Sequence, residues 1–122
     1  MIDIEADLGG VVLGLINHRQ EWQGKVVPLG IPTSFTQIAS AYAEVFGEPC
    51  VAKETTISQA FGWAPPIFQD TMHDMTAFYL EFGNGDDSHT LAETLLGRPL
   101  TTIKEYWARM KATGVDLKPM FH

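Results

Sequence analysis

A small, mainly helical α+β domain with a few short strands is the fold class this sequence predicts, on three observations. Apolar residues recur at helical spacing in three stretches, each closed by a glycine. Four Ser or Thr residues precede a Gln or Glu by three positions, the pattern that starts helices. The strand-like runs are few and short. With 122 residues, 45% of them hydrophobic and 19% charged, the chain reads as one globular domain over residues 1–122.

In chain order, residues 2–5 are the first strand candidate, and Asp7 stands where it would cap a helix over residues 8–17. That helix is apolar nearly all round, so it must be buried on most sides. Gly9, Gly10 and Gly14 each weaken it by about 1 kcal/mol relative to Ala, which makes sense only if another backbone comes close. Residues 25–29 are the second strand candidate. Ser34 with Gln37 opens a helix whose stripe is Phe35, Ile38, Ala39, Tyr42, Val45 and Phe46. Gly47 ends it and Pro49 prevents its continuation.

Residues 50–54 are the third strand candidate, and Thr56 with Gln59 marks a further helix start. Phe68, Met72, Met75, Phe78, Tyr79 and Phe82 then predict a long helix ending at Gly83. Residues 83–88 are rich in Gly, Asn and Asp and form a loop. Thr90 with Glu93 and Thr102 with Glu105 complete the starts, the last helix carrying Ile103, Tyr106, Trp107 and Met110 and stopping near Gly114. So loose a pattern also matches by chance, and three of the four capping boxes are expected to form.

A net charge of −7 offers no basic stripe for phosphates, which excludes nucleic acid and disfavours an anionic membrane surface. The apolar run at residues 8–16 is too short for a bilayer, which needs about 20 residues. The acidic start Met1-Ile2-Asp3-Ile4-Glu5 lacks the positive region of a secretory signal, so a cytoplasmic location is expected. Cys50 is the only cysteine and forms no intrachain disulfide; a small apolar core thiol is its expected role.

Candidate chemistry sits on the long helix. Asp70, His73 and Asp74 lie about one turn apart or less, away from Phe68, Met72, Met75 and Tyr79, and a carboxylate beside an imidazole can orient it for proton transfer. These three are the candidate catalytic residues, against the alternative of a solvated polar face. No third or fourth ligand at metal-site spacing accompanies them, so no metal is expected. Asp86 and Asp87 read as solvated loop charges, and His18, His89 and His122 as surface histidines.

Just before that helix runs Phe61-Gly62-Trp63-Ala64-Pro65-Pro66, aromatics stiffened by two prolines. Phe61 and Trp63, with Tyr42, Met72, Met75 and Tyr79, are the candidate lining of a cleft for a flat hydrophobic small molecule. Ordinary core packing is the competing explanation for the same residues.

Three segments carry a family resemblance: the opening Ile2-Asp3-Ile4-Glu5-Ala6-Asp7-Leu8-Gly9, then Gly47-Glu48-Pro49, then Leu96-Gly97-Arg98-Pro99. Together they resemble the C-terminal, substrate-binding half of NmrA-like proteins, atypical relatives of the short-chain dehydrogenases. The resemblance implies that the aromatic segment helps enclose a substrate, that residues 3–7 join two halves, and that Arg98 packs and hydrogen-bonds in a turn. It also implies that the first helix lies against a nucleotide-binding half. This chain has no glycine-rich turn between a buried strand and a helix, and Tyr42, Tyr79 and Tyr106 are followed four residues later by Phe46, Gly83 and Met110, not Lys. No cofactor is therefore expected.

With that half missing, the first helix is expected to pair with a second copy, giving a homodimer through Leu8, Val11, Val12 and Leu15. The expected function is cofactor-independent processing of a hydrophobic metabolite, of the isomerase, cyclase or dehydratase type. The alternatives are a non-catalytic binding or regulatory module, and a C-terminal fragment of an NAD(P)-dependent oxidoreductase.

Overall fold

The computed structural model describes residues 1–83 and 89–114, in two compact units. The first holds residues 1–51 and 89–114 of the described chain, the second residues 52–83. Seven α-helices and one π-helical turn are present among the described residues, and no strand. The mainly helical expectation holds; the three strand candidates do not form strands.

The physical reason differs between the candidates. At residues 2–5 the Asp3 carboxylate accepts from the Ala6 amide at 3.1 Å and turns the chain into a π-helical turn, Ile4–Leu8. Residues 25–29 and 50–54 meet no neighbouring ladder among the described residues, and a strand exists only through a neighbour's hydrogen bonds. One isolated pairing stands in for a sheet. The Ile31 amide donates to the Met1 carbonyl at 2.7 Å, and the Met1 amine to the Ile31 carbonyl at 2.5 Å. Gly30 permits this approach: its φ is +123°, and a Cβ there would lie 2.9 Å from the Met1 oxygen.

The π-helical turn runs directly into α1 (Gly9–Asn17), followed by the single turn α2 (Arg19–Trp22). Asp7 does not cap α1. It is wholly buried and accepts from Thr101 instead. α3 (Phe35–Phe46) opens on a complete capping box, Ser34 with Gln37, and closes on Gly47 at φ +71°. α6 (Thr90–Leu96) and α7 (Ile103–Ala112) complete the unit after α4 (Ile57–Ala60) and α5 (Pro66–Phe82) of the second unit.

Thr102 with Glu105 forms the predicted box at α7. Thr90 with Glu93 does not: His89 occupies the cap position without a side-chain bond, and the Glu93 carboxylate accepts from the Leu100 amide at 3.1 Å instead.

Two small cores hold the first unit. Val11 of α1 packs with Ala92 of α6 and Leu100, flanked by Val27, Ile31, Leu95 and Leu96. Trp107 of α7 packs with Ala41 of α3 and donates its indole N–H to the Ile38 carbonyl at 3.2 Å. Tyr42 stacks on Phe46 with centroids 4.4 Å apart and meets Trp107 edge-on at 5.3 Å.

Of the α1 glycines, Gly10 and Gly14 have a close neighbour in α6 of the same chain, and only at Gly14 is it backbone, as expected; nothing lies within 4 Å of Gly9. A Cβ at Gly14 would lie 2.4 Å from the Leu95 carbonyl oxygen, and one at Gly10 would lie 2.4 Å from the Leu96 side chain. Val11 is fully buried against Ala92 and Leu100. It is therefore not available to a dimer interface, which corrects the expectation for that residue. Leu8 and Leu15 are half-buried, while Val12 faces solvent with Leu13 and Ile16.

In the second unit α4 (Ile57–Ala60) starts on the predicted Thr56 and Gln59 box. α5 (Pro66–Phe82) begins two residues before the predicted stripe, with Pro66 in its first turn, where a missing amide N–H costs nothing. The Gln69 side chain donates back to the Ala64 carbonyl at 2.9 Å and fixes the entry to the helix. Ala64 is the buried residue of this unit among those described; α5 itself contains none.

Candidate functional site

The predicted catalytic residues all lie on α5. His73 Nδ1 stands 4.0 Å from an Asp74 carboxylate oxygen, with the two side chains 72% and 89% exposed. Asp70, one turn earlier, is exposed as well. Water competes for each of these groups and screens their interaction, so the carboxylates do not lock the imidazole in one orientation. The trio is assembled as the helical spacing required, yet no enclosing wall surrounds it among the residues of its unit.

Five of the six predicted lining residues belong to the same unit. Phe61 packs edge-on against Phe68 with centroids 5.8 Å apart, and Trp63 lies over Phe68 at 6.2 Å while remaining 80% exposed. Met72 is half-buried; Met75 and Tyr79 are exposed. Tyr42 stands apart from them in sequence and in role, its ring being committed to Phe46 and Trp107 in the first unit.

What α5 offers is a surface. At about 3.6 residues per turn, Ile67, Phe68, Met72, Met75, Phe78, Tyr79 and Phe82 fall in one sector of roughly 140°. Asp70, Asp74 and Glu81 fall along one edge of that sector, beside Ile67 and Phe78. Ile67 is 77% and Phe82 64% exposed. Exposed apolar residues are ordinary singly, but a contiguous stripe along a whole helix is unusual on a free surface.

The first unit contains a polar arrangement built from residues far apart in the chain. Asp7 accepts from the Thr101 amide and hydroxyl, both at 2.8 Å, and lies 2.9 Å from the Arg98 guanidinium. Arg98 also donates to the Ala6 carbonyl at 2.8 Å and the Pro99 carbonyl at 3.0 Å. Beside it Arg109 holds Asp3 with both carboxylate oxygens, at 2.6 and 2.5 Å, and also pairs with Glu5. The bonds to Glu5 and then Asp3 raise the guanidinium's pKa above its ordinary value, so Arg109 remains cationic.

These ion pairs tie the amino-terminal segment to the start and end of α7. An open cleft of about 480 Å³ adjoins them, with Ile2, Ile4, Ile38 and Met110 among its walls and Asp3 and Arg109 at its polar side. The carboxylates there already accept charged hydrogen bonds, which suits holding the chain more than moving protons. Of its members, Asp7 was expected to cap α1, and the family resemblance implied a hydrogen-bonding role for Arg98 in a turn. Thr101 and Arg109 carried no local signal, because their partners lie 94 and 106 residues away.

Among the described residues no three His, Cys, Asp or Glu side chains converge to hold a metal ion, and no helix is long and apolar enough to cross a membrane. Cys50 is half-buried outside any strand. Asp86, Asp87 and His122 lie outside the described residues. No protein-family model, curated protein or solved structure matches the chain. The NmrA-like resemblance thus stands on its three short segments.

Proposed function

We propose that this chain is a non-catalytic binding module, with α5 as its contact surface. The observation that carries it is the contrast within one helix: α5 contains no buried residue, yet bears a continuous stripe of large apolar side chains. Burial of such side chains is favourable by about 25 cal/mol per Å² of apolar surface, so the stripe has a strong tendency to find a cover. Where the NmrA-like resemblance would assign a substrate wall, this reading assigns a docking face.

The cofactor-independent isomerase, cyclase or dehydratase has less support. It needs a dry, shaped cavity around its acid and base, and His73 with Asp74 is solvated. Amide hydrogen exchange on the purified chain, with and without a hydrophobic dye such as ANS, tests the binding reading. The expected result is faster exchange in α5 than in α3 and α7, dye binding, and dye-induced slowing confined to α5. Protection of α5 equal to that of α3 and α7 in a free monomer would remove the basis for the proposal.

A further inference from the structure

We propose, resting on the binding-module reading, that the partner of α5 is a basic amphipathic helix, one with an apolar stripe flanked by Lys or Arg. Two observations select this occupant. The first is shape: the α5 stripe runs the length of a 17-residue helix and contains Met72 and Met75, whose flexible thioethers adapt to a helical partner's irregular ridge. The second is charge. Asp70, Asp74 and Glu81 line one edge of the stripe, and Asp70 and Asp74 are exposed.

No counter-charge comes from the helix itself. α5 contains no Lys or Arg, and residues 52–83 hold the single cation Lys53 against Glu54, Asp70, Asp74 and Glu81. A second copy of α5 therefore brings no positive side chain, and antiparallel twofold pairing would set acidic edge against acidic edge. An anionic lipid surface is disfavoured for the same reason. A helix carrying cations beside its apolar ridge satisfies both the stripe and the edge.

The test uses the full chain and two synthetic amphipathic peptides of one pattern, one of Leu and Lys, the other of Leu and Glu. Binding is measured by fluorescence anisotropy of the labelled peptide and located by hydrogen exchange. The Leu–Lys peptide is expected to bind and to slow exchange in α5, more weakly as salt is raised. The triple variant Asp70→Lys, Asp74→Lys, Glu81→Lys is expected to weaken that peptide about tenfold or more and to bind the Leu–Glu peptide instead. Circular dichroism checks that its helix content is retained, and Phe78→Ser removes part of the stripe without altering charge and should weaken both.

Equal binding of the two peptides to α5 would overturn the basic partner while leaving the binding surface standing. Neither peptide protecting α5, with sedimentation showing a dimer that buries it, would replace the partner by a second copy. Neither peptide binding a monomer whose α5 is already protected would overturn both the partner and the surface.

Discussion

In the first unit a charged side chain, Asp7, is wholly buried, whereas in the second an apolar one, Ile67, is 77% exposed. Polarity alone predicts the reverse of both. Asp7 is buried because its oxygens receive Thr101 twice and Arg98 once, which replaces the water it gives up. Ile67 is exposed because Phe61 and Trp63 of its own unit pack on Phe68 and leave most of the stripe uncovered. Burial is thus decided by the partners a side chain finds, and the two regions divide along that line: one closes on itself, the other presents its face.

The largest expected effect breaks the closed side. Asp7→Asn keeps the shape but replaces an acceptor with an amide that faces donors, leaving the Thr101 N–H and Arg98 poorly matched. Because Arg98 is half in solvent, the loss should fall at the lower end for a broken buried pair, about 3 kcal/mol, read from urea unfolding. A loss under a third of that would mean water replaces the carboxylate and the pair is not a clamp.

Next is the α1–α6 contact. Gly14→Ala forces the Leu95 backbone away and should destabilise the chain by about 2 kcal/mol. Gly9→Ala, where nothing lies within 4 Å, should stabilise it by about 1 kcal/mol through helix propensity. The opposite signs, measured by the same unfolding assay, sharpen the claim that α6 covers one face of α1 only.

A smaller effect follows pH. The Thr102 backbone N–H, then its hydroxyl, lowers the Glu105 pKa below the ordinary carboxylate value. A lowered folded-state pKa contributes stability above the unfolded value and loses it as pH falls through the folded one. Stability should therefore decline on acidification below the ordinary glutamate range, and Glu105→Gln should flatten that part of the profile. An unchanged profile would assign the decline to other carboxylates.

The smallest effect belongs to the open side. Phe78→Ser on α5 should change stability by no more than about 0.5 kcal/mol, since the ring is exposed. A loss several times larger would mean that the stripe is already covered in the free chain, and the contrast between the two units would close.

Several elements were legible from residues alone. Ser34 with Gln37, Thr56 with Gln59 and Thr102 with Glu105 started helices because a hydroxyl and a carboxamide or carboxylate three positions apart satisfy orphan amides within a single turn. The stripe from Phe68 to Phe82 was equally plain, as was the close approach demanded by Gly14. The candidate site was legible to the same degree: spacing put Asp70, His73 and Asp74 on one helix, but left a catalytic group and a solvated polar face as alternatives, and His73 and Asp74 stand in water.

All of these are local facts, fixed by neighbours within a few residues. Tertiary structure decided what lay beyond that range: that residues 25–29 and 50–54 find no ladder, that α6 covers Gly10 and Gly14 but not Gly9, and that Asp7 binds Thr101 across 94 positions instead of capping its own helix. Periodicity and capping act through covalent proximity and can be read along the chain, whereas strand pairing, burial and ion pairing depend on groups that only the folded chain brings within hydrogen-bond distance.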